Sequence, residues 1–266
     1  MRAFPLLLTV ALLAAAPARA EQDLLLGADM GSAAMTRAEM TRADVEALIA
    51  KADGKPVDLS DKALAGLDLS GLDLRGANLR TARLNKANLR GADLSGANLE
   101  QAWFIKADLS GAKLVGARMF GITARDANLS AADLSRSMPI GDFKGANMAK
   151  ATLVDLKWGA DIRNQSMGLM RAVFVSVNLR GANLKGANLG RSRLEYADLT
   201  DADLTDVILM GSDLSGANLT GATVAGADFK NVDVSGARLI ALKGQESAKD
   251  WSDRVNVDRA ITRLVN

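Results

Sequence analysis

Residues 177–189 read VNLRGANLKGANL, and close relatives of this phrase fill most of the chain. Leu179, Leu184 and Leu189 recur at intervals that fit neither the 3.6-residue period of a helix nor the 2-residue period of a flat strand. Within one unit, such as Ala77-Asn78-Leu79-Arg80, apolar and polar residues alternate. Ala and Leu therefore share one face and Asn the other, as in a very short strand. The last position is often glycine, as at Gly76, Gly91, Gly96, Gly181 and Gly186, where a bend can require positive φ. Strands this short cannot build a hairpin. A chain that bends the same way after every unit instead winds into a coil. Four bends close a square, and successive squares stack with Ala and Leu inward and Asn, Asp, Arg and Lys outward. Disorder is the alternative for so repetitive a chain, but the supply of leucine is too regular and too large to leave in water.

The tandem A(D/N)LxG units resemble the pentapeptide-repeat proteins over roughly Val57 to Ile240. The resemblance implies an all-β solenoid, a right-handed quadrilateral β-helix with four units per coil. Functionally it is less specific: the family includes a subset that mimics DNA and binds type II topoisomerases.

Inward centres run in register from Leu59 through Leu99, Phe104, Leu109, Leu114 and Met119. Ala124 is the first weak slot. SRSMPIGDFK then breaks the pattern, and Phe143, Met148, Leu153 and Trp158 arrive one residue early. ADIRNQSMGLM restores it, with Leu169, Phe174 and Leu179 as the next expected centres. This reading has one residue lost near Pro139 and one regained near Asn164. Roughly nine coils at about 4.8 Å give a rod about 43 Å long. Its open ends need caps. TRADVEALIAKADG predicts a capping helix within 41–56, with Thr41 as N-cap and Gly54 at its end. SAKDWSDRVNVDRAITRLV places Trp251, Val255, Ile261 and Val265 near one helical face, which predicts a second capping helix within 241–266. A membrane-surface role for that helix is disfavoured by Asp250, Asp253 and Asp258. Residues 21–40 read as a leader of uncertain structure, flexible by default, although ADMGS, AAMTR and AEMTR carry a five-residue rhythm of their own.

The first twenty residues, MRAFPLLLTVALLAAAPARA, have a basic start, an apolar run and an A-x-A pattern, which predicts a signal peptide cleaved after Ala20. The run is short for a membrane anchor, and no other stretch is apolar enough to cross a membrane. The expected location is the periplasm or the exterior. Removing Arg2 and Arg19 from the 33 basic residues leaves 31, against 31 acidic ones. That balance argues against non-specific nucleic-acid binding. The charge is nevertheless polarised. Basic residues dominate from Arg75 to Arg125. From Leu194 to Phe229 there is no Lys or Arg, while Glu195, Asp198, Asp201, Asp203, Asp206, Asp213 and Asp228 accumulate.

The chain has no histidine and no cysteine, so the commonest general base, the best zinc ligands and the thiol nucleophile are missing. No phosphate loop, nucleophile elbow or dinucleotide motif is found. Paired acids such as Asp201 and Asp203 read as solvated ladder residues rather than a calcium site. No cofactor and no metal are expected. Two places stand out as candidate contacts for a partner. Trp103 takes an outward slot one coil above Arg83, an arrangement suited to a cation–π pair. The register breaks gather Met138, Pro139, Trp158, Arg163, Asn164 and Gln165 into a candidate groove. The favoured reading is an exported, non-catalytic scaffold for an unknown protein, an envelope component or a second copy of itself. The alternative is a cytoplasmic DNA mimic that binds a topoisomerase. A third reading, a hydrolase or metal-dependent enzyme, lacks a motif.

Leu184→Asp is expected to destabilise by several kcal/mol, because it buries an unpaired charge in a narrow core. Asn183→Asp should be nearly neutral. Denaturant midpoints of the two variants measure the difference, and equal midpoints would refute the inward and outward assignments.

Overall fold

A computed structural model describes residues 29–156 and 172–263. Four ladders of parallel bridges run up the molecule. The second passes through Ala63, Arg83, Trp103, Thr123, Asp142, Val173, Arg193, Asp213, Asp233 and Val255, and its members number the coils here from one to ten. Each coil thus has four walls. The first carries Asn78 and Asn98, the third Asn88 and Asp108, the fourth Asp93 and Lys113.

One unit shows why the repeat is five residues long. Ala77 N–H closes a turn onto Leu74 O at 3.0 Å, Asn78 N–H reaches Val57 O in the coil below at 2.9 Å, and Leu79 N–H reaches Asn98 O above at 2.8 Å. Thr81 N–H bonds Glu100 O at 2.8 Å. That leaves Arg80 N–H, which the Asn78 side chain accepts at 3.3 Å. All five backbone donors are satisfied, the fifth by the Asn or Asp that the repeat requires. The last residue of the unit is left-handed, with φ of 57° at Thr81 and 65° at Gly76. Leu79, Leu84, Leu184 and Leu204 are fully buried, as are Ala77 and Ala82.

The lower end is closed by an α-helix, α2, over Arg42–Lys51; a short helix, α1, spans Ala33–Thr36. Thr41 and Asp44 form a capping box on α2, and Val45 is buried beneath the first coil. Arg42 donates to the Asp68 and Ser70 carbonyls, which have no coil below them. Residues 35–39 do not trail free, as the flexible-leader reading expects; residues 21–28 of that leader lie outside those described. Ala38 bridges Leu64 in antiparallel sense, Glu39 N–H donates to Ala63 O, and Asn85 Nδ2 donates to Met35 O at 3.2 Å.

The upper end corrects the expected second helix. Lys243, Lys249, Val255 and Ile261 pair with Thr223, Asp228, Asp233 and Arg238, so residues 243–261 make a further coil with six residues per wall. The extra residue goes into single 3-10 turns over Gln245–Ser247, Trp251–Asp253 and Val257–Arg259, entered through left-handed Gly244, Asp250 and Asn256. The spacing of Trp251, Val255 and Ile261, read as one helix face, belongs to this wider coil, and Val265 lies outside the described residues. Trp251 packs edge-on against Phe229, with centroids 4.7 Å apart, and Arg254 lies 3.6 Å above the indole. Together they cover the top of the core.

The register breaks have different causes. Asn128 and Asn147 are ladder partners 19 residues apart, one fewer than the usual 20. The residue is lost at Pro139, which fills an inward slot but has no N–H for the ladder. Ile140 N–H closes a tight turn onto Met138 O at 2.9 Å. At the second break the next ladder partners, Asn147 and Asn178, are 31 residues apart, eleven more than a regular coil. The expectation that a single residue is regained is therefore corrected; Leu169, expected as the next inward centre, lies outside the described residues. The excess falls in residues 157–171, outside those described.

Close packing explains the weak slot at Ala124. Phe104, Ala124, Phe143 and Phe174 form one inward column, and the Phe143 and Phe174 rings are 5.3 Å apart. Beside it, Ile122 on β1 (Ile122–Thr123) pairs with Gly141 on β2 (Gly141–Asp142). A Cβ on Gly141 would lie 2.2 Å from Ile122 O. Large and small residues have exchanged places in two neighbouring columns. Ala124→Leu, although it restores the repeat consensus, should overpack and destabilise by roughly 1–3 kcal/mol. Gly141→Ala should lower the thermal midpoint at least as much. A rise in midpoint for Ala124→Leu would mean that Ala124 lines a void.

Candidate functional site

The outward slots hold most of the polar chemistry, and the fold uses much of it. On the third wall Asn128, Asn147 and Asn178 pass side-chain amide bonds upward from Asp108 at 3.0–3.2 Å. The acidic stretch is built the same way. Asp198, Asp203 and Asp213 accept from the N–H groups of Thr200, Thr205 and Ser215 at 2.9–3.0 Å. Asp201 and Asp206 are left-handed corner residues folded over Gly221 and Gly226. Glu195 accepts from Arg193 at 2.8 Å, and its second oxygen is buried without a partner. These acids do not line up. Asp213 is on the second wall, Asp198 on the third and Asp203 on the fourth. Among the described residues no group of three acids could hold a metal ion.

Arg83 and Trp103 are ladder neighbours. The guanidinium of Arg83 turns to the Asp61 carbonyl, and its Nε is buried without a partner. Trp103 is half-buried. Its indole offers no acceptor for the N–H two residues on, so Asn85 Oδ1, one coil below, accepts from Ile105 N–H at 3.1 Å. Arginine does stack on tryptophan in this protein, but the pair is Arg254 over Trp251. In the candidate groove, Met138 is 36% exposed and Pro139 is buried. Trp158, Arg163, Asn164 and Gln165 lie outside the described residues.

Sequence reasoning missed the ion pair between Arg125 and buried Asp142, which stands next to the shortened turn. An acid in an outward slot looks solvated in the sequence; only the coil geometry buries it. Also missed was the cleft of about 300 Å³ beside α2, lined by Ile49, Gly54, Lys55, Val57, Asp73 and Arg75. Its lining comes from two separate chain segments. The Arg75 side chain, with its backbone N–H, holds the Asp73 carboxyl down at about 2.

The profile of the pentapeptide repeats matches residues 64–101, 102–137, 172–211 and 208–240, in eight copies. The chain belongs to the pentapeptide-repeat family. Solved structures of the family match part of the chain. HetL, a pentapeptide-repeat protein involved in heterocyst differentiation regulation in the cyanobacterium Nostoc sp. strain PCC 7120, is 23% identical, with 84% of this chain and 99% of that one covered and a TM-score of 0.34. QnrB1, a plasmid-mediated fluoroquinolone resistance protein, is 18% identical, with 76% and 90% covered and a TM-score of 0.50. Rfr23 from the cyanobacterium Cyanothece is 21% identical, with 57% and 91% covered and a TM-score of 0.32. No curated protein matches. At these identities the likeness concerns the fold.

The turn-capping carboxylates make acid sensitivity a test of this pentapeptide-repeat coil. The Ser60 hydroxyl and N–H lower Asp58, those of Ser70 lower Asp68, and Arg75 lowers Asp73. Carboxyls depressed in the folded state stabilise above their ordinary value near 3.9 and lose that contribution as they protonate. The melting temperature, measured at constant ionic strength, should be flat above about pH 5 and fall between about pH 4 and pH 2. Asp73→Asn keeps the turn-capping oxygen and should flatten the lowest part of that fall.

Proposed function

We propose that the protein is an exported, non-catalytic scaffold: a rigid pentapeptide-repeat rod, right-handed and quadrilateral like its family, that presents its walls to a protein or envelope component. The observation that carries this reading is the commitment of the outward side chains. Asp and Asn on the walls are occupied as turn caps and amide ladders, and neither histidine nor cysteine is available for chemistry. Pentapeptide-repeat proteins are in general non-catalytic, which agrees with it. The signal-like sequence of residues 1–20 supports export. The topoisomerase-binding alternative requires a continuous negative surface in the cytoplasm, and the acids of 195–213 are distributed around the rod instead.

Fractionation of cells with N-terminal sequencing of the accumulated protein tests the reading. A chain beginning at Glu21 outside the cytoplasm is expected, together with retention of an envelope component on the immobilised protein. An intact Met1 form in the cytoplasm that inhibits DNA supercoiling would establish the alternative.

A further inference from the structure

The second wall carries opposite charges at its two ends. On its corner with the third wall, the left-handed residues of coils two and three are Lys86 and Lys106, both exposed. On the same corner in coils eight and nine they are Gly216, over which the exposed Tyr196 ring of coil seven folds, and Gly236. The outward slots of those upper coils hold Asp213 and Asp233, stacked as ladder neighbours. Long basic side chains at one end of the wall thus correspond to carboxylates at the other, beside an open corner at Gly236 and the Tyr196 ring at Gly216.

A two-fold axis across the wall turns this asymmetry into a fit. Two rods laid antiparallel, second wall to second wall, place coil two against coil nine and coil three against coil eight, and each corner column meets itself. Lys86 then faces the Gly236 corner beside Asp233, and Lys106 faces the Tyr196 ring over Gly216, beside Asp213. The operation is isologous, so both ends make the same contacts. The other walls match less well. The first would set Arg80 against Lys230, and the fourth, although it sets Asp93 against Lys243, also sets Asp133 against Asp203. On the third wall the central amides are already bonded to one another.

We propose that the second wall is an interface with a second copy of this chain, paired antiparallel through the lysines of coils two and three and the aspartates of coils eight and nine. The charges set register and orientation, and the exposure of the lysines makes the association salt-dependent.

Sedimentation velocity on the purified protein tests the pairing. A dimer is expected at tens of micromolar in about 50 mM NaCl, dissociating by about 500 mM as screening shortens to a few ångströms. The double variant Lys86→Glu, Lys106→Glu should weaken self-association at least tenfold. So should Asp213→Asn, Ser215→Lys, Asp233→Asn, Ser235→Lys, in which asparagine keeps the turn-capping oxygen. Mixing the two should restore a dimer, because antiparallel pairing sets the all-acidic wall against the all-basic one at both ends. Melting curves check folding, and Lys86→Gln, Lys106→Gln replaces the first variant if it unfolds. A wild type monomeric in low salt would overturn the proposal. So would a dimer indifferent to salt and to both variants, or a mixture that stays monomeric.

Discussion

A coil five residues per side has five backbone N–H groups to satisfy, and neighbouring coils take only some of them. In the unit around Leu79 one donor closes the turn and three reach adjacent coils. The remaining N–H, at Arg80, points to its own wall, where the side chain of Asn78 accepts it. The small polar residue of the repeat is thus a backbone partner as much as a solvated surface. Thr200, Thr205 and Ser215 repeat the arrangement with aspartate. Where Trp103 supplies no acceptor, Asn85 reaches up from the coil below. A buried amide without a partner costs about as much as a lost hydrogen bond, so an Asp or Asn acceptor recurs in this slot in most of the described units, though not at Arg83, Lys113 or Ile208.

The same accounting sets what happens at the ends. A stacked coil leaves mainly carbonyls unpaired below and mainly donors above, and each end solves this with different material. Below, Arg42 and the segment through Glu39 take the free carbonyls while Val45 plugs the core. Above, the coil widens to six residues per wall, and Trp251 with Arg254 closes the axis. Between them the core is a set of columns in which volume is traded between neighbours, as Ile122 and Gly141 show.

Surface chemistry follows from this wall geometry. Acids that form one run in the sequence are dealt out to different walls, because each unit turns a corner. Residues twenty apart become neighbours, so a charge pattern that matters to a partner is read down a ladder. Asp213 and Asp233 on one wall, with Lys86 and Lys106 at its other end, are a pattern of that kind.

The sequence by itself determined the repeat, the inward leucines and the place of the first register loss, because burial and turn chemistry act within five residues. It also carried the family, through the tandem A(D/N)LxG units. Tertiary structure decided everything that depends on which units stack. The helical spacing of Trp251, Val255 and Ile261 gave way to a six-residue coil once a ladder existed beneath it. Residues that read as a free leader gained partners in Ala63 and Asn85, which lie more than twenty residues away. Arg83 turned from Trp103 to the Asp61 carbonyl, and Asp142 became buried beside Arg125. A short-range pattern specifies the coil; the neighbours of each coil are set by the sum of all preceding turns, including the shortened one at Pro139, and no local signal records that sum.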